Sequence, residues 1–197
     1  MLKKFIKITK GYKRNFIARL KNSENGEPRD LTGANVRFIF TAEDGRKLKR
    51  YSYALSFAAS AVSINNNEIS IPKHGLADDE KIQLATSGTL PGGLAIATDY
   101  YIIVKDEDTV QLAAAQGGAP IDITTQGTGT HNIPAAYLGL IIMSPSPLLG
   151  KVQVTLEEAF TAALKAALKQ CILVEYDVGS DTFGEDLEGV LDVREQC

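Results

Sequence analysis

The chain has 197 residues, of which 44% are hydrophobic and 23% charged, a composition typical of a globular protein with a buried core. Its apolar runs are far shorter than the ~20 residues of a membrane-spanning helix, and no apolar segment follows the basic N-terminus as a secretory signal requires. Cys171 and Cys197 are too few for a disulfide framework, so we expect synthesis in a reducing cytoplasm.

The net charge of −3 conceals an uneven distribution. The first fifty residues carry 14 Lys or Arg against 5 Asp or Glu, whereas the remaining 147 carry 7 against 19. A basic segment is one signature of a nucleic-acid surface. Here, however, basic and apolar residues alternate across 4–8, which places the lysines on the solvent face of a strand. We therefore expect this basic strand to lie near acidic C-terminal strands, such as the one with Glu175 and Asp177, and expect no nucleic-acid partner.

Strand patterns dominate the first sixty residues. Val36, Phe38 and Phe40 share one face of a period-two segment, and Asp44-Gly45 is a hairpin signal directly after it. Four strands are predicted there: 3–9, 13–20, 36–40 and 46–58.

The middle of the chain, 61–134, is rich in Gly, Thr, Asn and Ala and contains only short strand patterns. The predicted strands are 61–64, 68–71, 81–85, 100–104, 109–114, 121–124 and 131–133. Residues 105–108 form the loop of a hairpin, and Pro91-Gly92-Gly93 and Gly117-Gly118 mark turns that need positive φ. These patterns predict a small all-β unit.

Longer elements return after residue 150. A strand is predicted over 150–154, and Thr155 followed by Glu158 is a capping box that predicts a helix over 156–169. Its apolar stripe, which includes Phe160 and Leu164, is typical of core packing. Two further strands are predicted over 171–177 and 187–194.

No catalytic, cofactor-binding or metal-ligating residue is predicted. The two histidines, His74 and His131, have no partners at metal-ligand spacing, and we interpret both as stabilising turns. The acidic triplets 78–80 and 106–108 lack the alternation of a calcium loop and are expected to be solvated loop tips. Cys171 is expected to be a buried thiol and Cys197 part of a frayed terminus.

The outer segments carry a recognisable pattern. Residues 24–40 have the sequence ENGEPRDLTGANVRFIF, and 150–164 and the pair 174–178 and 187–193 follow in order. Together they resemble the N-terminal domain of phage baseplate upper proteins, which shows an N-G-x-P-x-D-L-T-G-A-x-V-x-F run. The resemblance implies an immunoglobulin-like β-sandwich built from 1–60 and 135–197, with no catalytic residues to transfer.

The middle segment resembles a second phage element. Its motifs, 74–76, 88–94, 99–104 and 127–131, are similar to short β modules of tail and tail-fibre proteins. The baseplate family connects the positions near 50 and 138 directly, so this chain departs from it by inserting 61–134 as a second domain.

These resemblances imply a non-enzymatic structural protein of a tailed-phage or prophage virion. We expect an adaptor or decoration of the tail, baseplate or neck, made in the host cytoplasm, with other virion proteins and copies of itself as partners.

The alternative is a module that binds a glycan or protein on the host surface, suggested by Tyr100-Tyr101 and the Gly/Thr-rich loops, although the chain has no Trp. Period two puts the tyrosines on opposite faces, so at most one is expected to be exposed. A third reading, a cell-wall enzyme, would need an acid pair that the sequence does not offer.

Overall fold

The computed structural model describes residues 5–6, 12–19, 25–28, 30–42, 44–142, 150–164, 170–171, 173–178 and 192–195. Within these ranges the protein is mainly β, with all named strands paired antiparallel in several sheets. The single α-helix of the described residues, α1, spans Glu158–Ala163, and no described helix has the length and hydrophobicity that a bilayer crossing requires. The prediction of a mainly β fold with one short helix is confirmed.

The strands are numbered in chain order. They are β1 (Phe5–Ile6), β2 (Arg14–Arg19), β3 (Ala34–Thr41), β4 (Lys47–Tyr51), β5 (Leu55–Ala58), β6 (Val62–Ser63), β7 (Glu68–Ser70), β8 (Lys81–Ile82), β9 (Ala85–Thr86), β10 (Tyr100–Val104), β11 (Thr109–Ala113), β12 (Thr130–Ile133), β13 (Leu140–Ile142), β14 (Lys151–Leu156), β15 (Gln170–Cys171), β16 (Leu173–Val178) and β17 (Asp192–Glu195). Short 3₁₀ turns occupy Ala59–Ala61 and Ala135–Tyr137.

The chain divides into two compact units. The outer unit comprises Met1–Tyr53 and Gly139–Cys197, and the inserted unit comprises Ala54–Leu138. The sequence places these boundaries at 60/61 and 134/135 instead. The difference arises because β5 pairs with β12, so residues 55–58 belong to the inserted unit. The single strand predicted over 46–58 is therefore wrong: β4 and β5 lie in different units.

The outer unit contains two principal sheets, ordered β13-β14-β2-β17 and β16-β3-β4, together with the pair β1-β15. Alternate residues of β3 and β14 are buried, including Phe38 and Val154, so one face of each sheet forms core. This is the pattern that a β-sandwich produces. Phe40 packs edge-to-face on Phe160 of α1, with ring centroids 5.4 Å apart.

In the outer unit, acidic residues of two C-terminal strands lie opposite basic residues of two N-terminal strands. β16 pairs with β3 and places Glu175 opposite Arg37, and β17 pairs with β2 and places Asp192 opposite Arg19. Acidic C-terminal strands thus lie beside β3 and β2. The basic strand predicted around residues 4–8 is described only as β1, and β1 pairs with β15 rather than with these acidic strands.

The capping box predicted at Thr155 is not used as a helix start. Thr155 and Leu156 still belong to β14, because their backbones pair with β2. The helix begins after Glu157, which makes no side-chain capping hydrogen bond, and it ends before Leu164, which bridges to Ala42. Sheet pairing therefore overrides the local helix signal. Residues 165–169 and 187–191 of the predicted elements lie outside the described residues.

The inserted unit contains a five-stranded sheet, β6-β7-β11-β10-β8, and a three-stranded sheet, β5-β12-β9. The predicted hairpin of 100–104 and 109–114 is present as β10 and β11. The predicted strand 81–85 is split into β8 and β9, which join different sheets.

The strand predicted over 121–124 is wrong, because this segment runs irregularly beside 87–93. A Cβ added at Gly93 would lie 2.3 Å from the carbonyl oxygen of Asp122, and one at Gly127 would lie 2.3 Å from that of Thr89. Such close approach leaves no room for a regular ladder with side chains. Hydroxyl groups supply some of the hydrogen bonds instead, as where Thr125 Oγ1 accepts the Gly92 amide at 2.9 Å.

Candidate interaction surface

One face of the five-stranded sheet in the inserted unit is polar and accessible, and we call it the open face. Its residues alternate with core residues such as Ile102 and Val110, which are fully buried. They are exposed or half-buried: Ser63, Glu68, Ser70, Lys81, Tyr101, Ile103, Thr109 and Gln111. A sheet with one core face and one solvated face leaves this surface accessible for binding.

Three side chains at the edge of the open face form a hydrogen-bonded group, the Asp99 clamp. Asp99 accepts Lys81 Nζ at 3.0 Å and Gln83 Nε2 at 2.7 Å. These hydrogen bonds, that of Gln83 first, lower the pKa of Asp99, and the hydrogen bond to Asp99 raises the pKa of Lys81. Tyr101 lies directly opposite Lys81 in the register.

An apolar loop directly precedes Asp99 of the clamp in the chain. We call residues 94–98 the Ile96 loop, because the side chain of Ile96 is 67% exposed, more than any other large hydrophobic residue described. The Thr98 hydroxyl donates to the Ile96 carbonyl at 3.3 Å. The loop thus presents a branched apolar side chain to solvent on a hydrogen-bonded turn.

Tyr100 fixes the base of this loop. Its hydroxyl accepts the Ala95 amide at 2.7 Å and donates to the Ala95 carbonyl at 3.3 Å. Ala97 has a φ of +55°, a left-handed conformation that costs an L-residue about 1–2 kcal/mol. Strain of this kind persists only where surrounding contacts impose it, and it clusters at binding and catalytic sites.

The two adjacent tyrosines lie on opposite faces of β10, as predicted. Tyr100 is buried with 3% of its surface exposed, and Tyr101 is half-buried on the open face. Tyr100 therefore serves as an internal latch, and only Tyr101 is available to a ligand.

His74 stabilises a turn, as predicted. Its Nδ1 accepts the Leu76 amide at 3.0 Å, so the ring proton lies on Nε2, which donates to the Asp106 carbonyl at 3.0 Å. This neutral imidazole joins the turn after β7 to the β10–β11 loop.

His131 does not lie in a turn but inside β12, where it is fully buried. Its Nδ1 lies 2.9 Å from Thr86 Oγ1, and its ring packs on Phe57 with centroids 5.2 Å apart. The two histidines thus have separate structural roles.

The expectation that the acidic triplets are solvated loop tips is confirmed for 106–108, which are exposed in the β10–β11 loop, and is wrong for 78–80, where Glu80 is buried. Carboxylates of both triplets also cap backbone amides. In the first triplet, Asp78 accepts the amide of Val104, Asp79 that of Gly117 and Glu80 that of Ala77, at 2.7–3.0 Å. In the second, Asp108 accepts the amide of Lys73 and Asp106 that of Asp108, at 2.7–2.8 Å. Glu80 is only 3% exposed, and the amide of Asp108 lowers the pKa of Asp106. The triplets therefore hold the loops of the inserted unit in place.

The described residues contain no group of three or more His, Cys, Asp or Glu side chains that could hold a metal ion. The backbone of Cys171 lies in β15 opposite Phe5, while its side chain and Cys197 are outside the described residues. The burial of the Cys171 thiol stays a prediction.

Sequence reasoning missed the Ile96 loop and the Asp99 clamp. The available signal was the run Leu94-Ala95-Ile96-Ala97 after Pro91-Gly92-Gly93, which is apolar but has no strand alternation. Family models, curated proteins and solved structures were compared with the chain, and none of them matches it.

Proposed function

We propose that this protein is a non-enzymatic structural component of a tailed-phage or prophage virion, an adaptor or decoration of the tail, baseplate or neck. It acts by binding other virion proteins and copies of itself in a symmetric assembly. The observation that carries the proposal is the Ile96 loop, an exposed apolar tip held rigid beside the polar Asp99 clamp.

This surface shares two features with protein interfaces, an exposed apolar side chain at Ile96 and neighbouring polar groups. Stable interfaces combine apolar anchors at the centre with a polar rim. A loop already held by Tyr100 loses little conformational entropy on binding, so more of its contact energy appears as affinity.

The chain organisation supports an adaptor role. Tyr51 bridges to Gly139 within the outer unit, so the chain leaves and re-enters that unit at one place. An insertion at such a point adds a binding surface without interrupting the outer core. The resemblance of 24–40 to phage baseplate upper proteins supplies the virion context.

The charges of the two units favour association between copies. The inserted unit, Ala54–Leu138, carries 3 Lys or Arg against 9 Asp or Glu, whereas the outer segments carry 18 against 15. Opposite net charges steer encounters between the two kinds of unit in neighbouring subunits.

The test is quantitative mass spectrometry of purified particles. We expect the chain at a copy number that is a multiple of three or six relative to portal and major tail proteins. Incorporation should fall with Ile96→Asp but not with Ser60→Asp, which adds the same charge at another exposed site of the inserted unit. Absence of the wild-type chain from particles would overturn the proposal.

The alternative function is recognition of a host-surface glycan or protein by the open face. The observation in its favour is Tyr101, which is half-buried on the open face and pairs across the sheet with Lys81 of the Asp99 clamp. An aromatic ring beside fixed donors and acceptors suits a hydroxyl-rich ligand. Binding to whole host cells or a glycan array that is lost with Tyr101→Ala and kept with Ser70→Ala would favour this function over the first.

A further inference from the structure

The turn at Asn25-Gly26 carries a reactive arrangement of backbone and side chain. Of the eight asparagines in the chain, only Asn25 is followed by glycine. Both residues are exposed, and Gly26 has a φ of +71°. The side-chain carbonyl of Asn25, through Oδ1, accepts the backbone amide of Glu27 at 3.0 Å.

This hydrogen bond polarises the side-chain amide of Asn25. An N–H aimed at a carbonyl oxygen stabilises the negative charge that develops there when a nucleophile adds to the carbon. The nucleophile that closes a five-membered ring on this carbon is the backbone nitrogen of Gly26, and glycine has no side chain to hinder its approach. The turn therefore holds an electrophile, an oxyanion donor and an unhindered nucleophile within three consecutive residues.

We propose that Asn25 is a site of spontaneous covalent modification. The Gly26 nitrogen gives up its proton and bonds to Cγ of Asn25, and the bond from Cγ to Nδ2 breaks with release of ammonia. The resulting five-membered succinimide then takes up one water. Hydrolysis at Cγ leaves aspartate, and hydrolysis at the main-chain carbonyl leaves isoaspartate, so the net change is the exchange of an amide for a carboxylate.

A second turn in the outer unit has an aspartate where the first has Asn25, so comparing the two shows how much the reaction depends on the amide and its release of ammonia. Asp44-Gly45 has a similar arrangement: the Arg46 amide donates to Asp44 Oδ1 at 2.9 Å, and Gly45 has a φ of +90°. It differs in that Arg46 Nε also donates to Asp44 Oδ2. The Arg46 amide and side chain lower the pKa of Asp44, so the group is an ionised carboxylate at neutral pH. A carboxylate resists nucleophilic attack, and its carboxyl group must be protonated and lose water before the same ring can form, so this turn should react much more slowly than Asn25.

The modification places a negative charge in the segment that carries the phage resemblance. Each converted chain gains one unit of negative charge, and the isoaspartate product also inserts an extra methylene into the backbone at position 25. The inference is independent of the proposed function, because it rests only on the two turns.

The experiment follows the full-length folded chain during incubation in heavy-oxygen water at mildly alkaline pH, with peptide mapping by mass spectrometry. We expect Asn25 to incorporate label about tenfold faster in the folded chain than in the same chain unfolded in guanidinium chloride, because unfolding removes the Glu27 donor. Asn25→Gln should abolish the reaction. Gly26→Ala should slow it, since a side chain then crowds the attacking nitrogen.

Asp44→Asn provides the matched control, because it creates a second Asn-Gly in the equivalent turn. Position 44 of this variant should react at a rate similar to that of Asn25, while wild-type Asp44 should take up label much more slowly. Equal rates for Asn25 in folded and unfolded chains, or no reaction at position 44 of the D44N variant, would overturn the proposal that the fold promotes this chemistry.

Discussion

Tyr100 holds both polar groups of the Ala95 backbone, accepting its amide at 2.7 Å and donating to its carbonyl at 3.3 Å. A single phenol thus replaces the partners that these groups would have in a strand. Tyr100 is itself buried in the core of the inserted unit, so the latch links the exposed Ile96 loop to that core.

Tyr100→Phe should release the loop while leaving the core packing nearly unchanged. Losing two part-buried hydrogen bonds should lower the free energy of unfolding by about 1–2 kcal/mol. Hydrogen exchange at Ala95 and the following three residues should become faster, because the left-handed conformation of Ala97 would lose its support. Chemical denaturation and exchange mass spectrometry measure the two effects. Tyr101→Phe is the control, since the Tyr101 hydroxyl makes no hydrogen bond to another described residue, and equal effects in both variants would refute the latch.

Local signals in the sequence predict much of this fold. Period two over Val36–Phe40 and the turn Asp44-Gly45 lead directly to β3 and its hairpin with β4, because both depend only on near neighbours. The Asp30–Gly33 turn also follows from its residues: Thr32 donates its amide to Asp30 Oδ1 at 2.8 Å, which lowers the pKa of Asp30, and Gly33 has a φ of +69°.

Tertiary contacts decide the features that sequence patterns miss. Thr155 has the composition of a helix cap, but pairing with Asn15 of β2 keeps it in a strand. The Ile96 loop depends on the phenol of Tyr100, which binds both the amide and the carbonyl of Ala95. No rule of residue spacing predicts such a contact.

A glycine is required at position 139, where the chain re-enters the outer unit. A Cβ there would lie 2.4 Å from the carbonyl oxygen of Thr155 and 2.7 Å from Cδ of Arg50. Arg50 cannot move away easily, because its guanidinium carbon lies 3.5 Å from the centroid of the Phe160 ring. Gly139→Ala should therefore cost about 3 kcal/mol or more, the sum of left-handed strain and a backbone clash.

Gly33→Ala is the matched control for that substitution. Gly33 belongs to the same unit and has nearly the same φ, +69° against +68°, but a Cβ at Gly33 meets nothing within 4 Å. Its cost should be only about 1–2 kcal/mol, which is the strain of the left-handed conformation alone. Urea unfolding of both variants separates strain from crowding, and equal losses of stability would show that the approach of Thr155 is not limiting.

His74 should contribute to the stability of the inserted unit through both ring nitrogens. His74→Ala leaves the buried Leu76 amide without its acceptor, which should cost about 1–3 kcal/mol. In the wild-type protein at neutral pH, nitrogen-detected NMR should show the neutral tautomer protonated on Nε2. A ring protonated on Nδ1 would contradict the hydrogen bond from Leu76.

The Asp99 clamp should make stability depend on pH at both ends of the scale. The folded pKa of Asp99 is lowered, so its contribution is complete above the unfolded value of about 3.9 and is lost as pH falls through the lower folded value. The folded pKa of Lys81 is raised, so its contribution is complete below about 10.4 and is lost as pH rises through the higher folded value.

Melting temperatures of wild type and Asp99→Asn should differ by a constant amount between these limits and converge in acid, where both carry a neutral group at position 99. Asp122→Asn serves as the control, because the Asp122 carboxylate accepts no hydrogen bond from another described residue. A difference between wild type and Asp99→Asn that persists unchanged in acid would show that the charge of Asp99 does not stabilise the clamp.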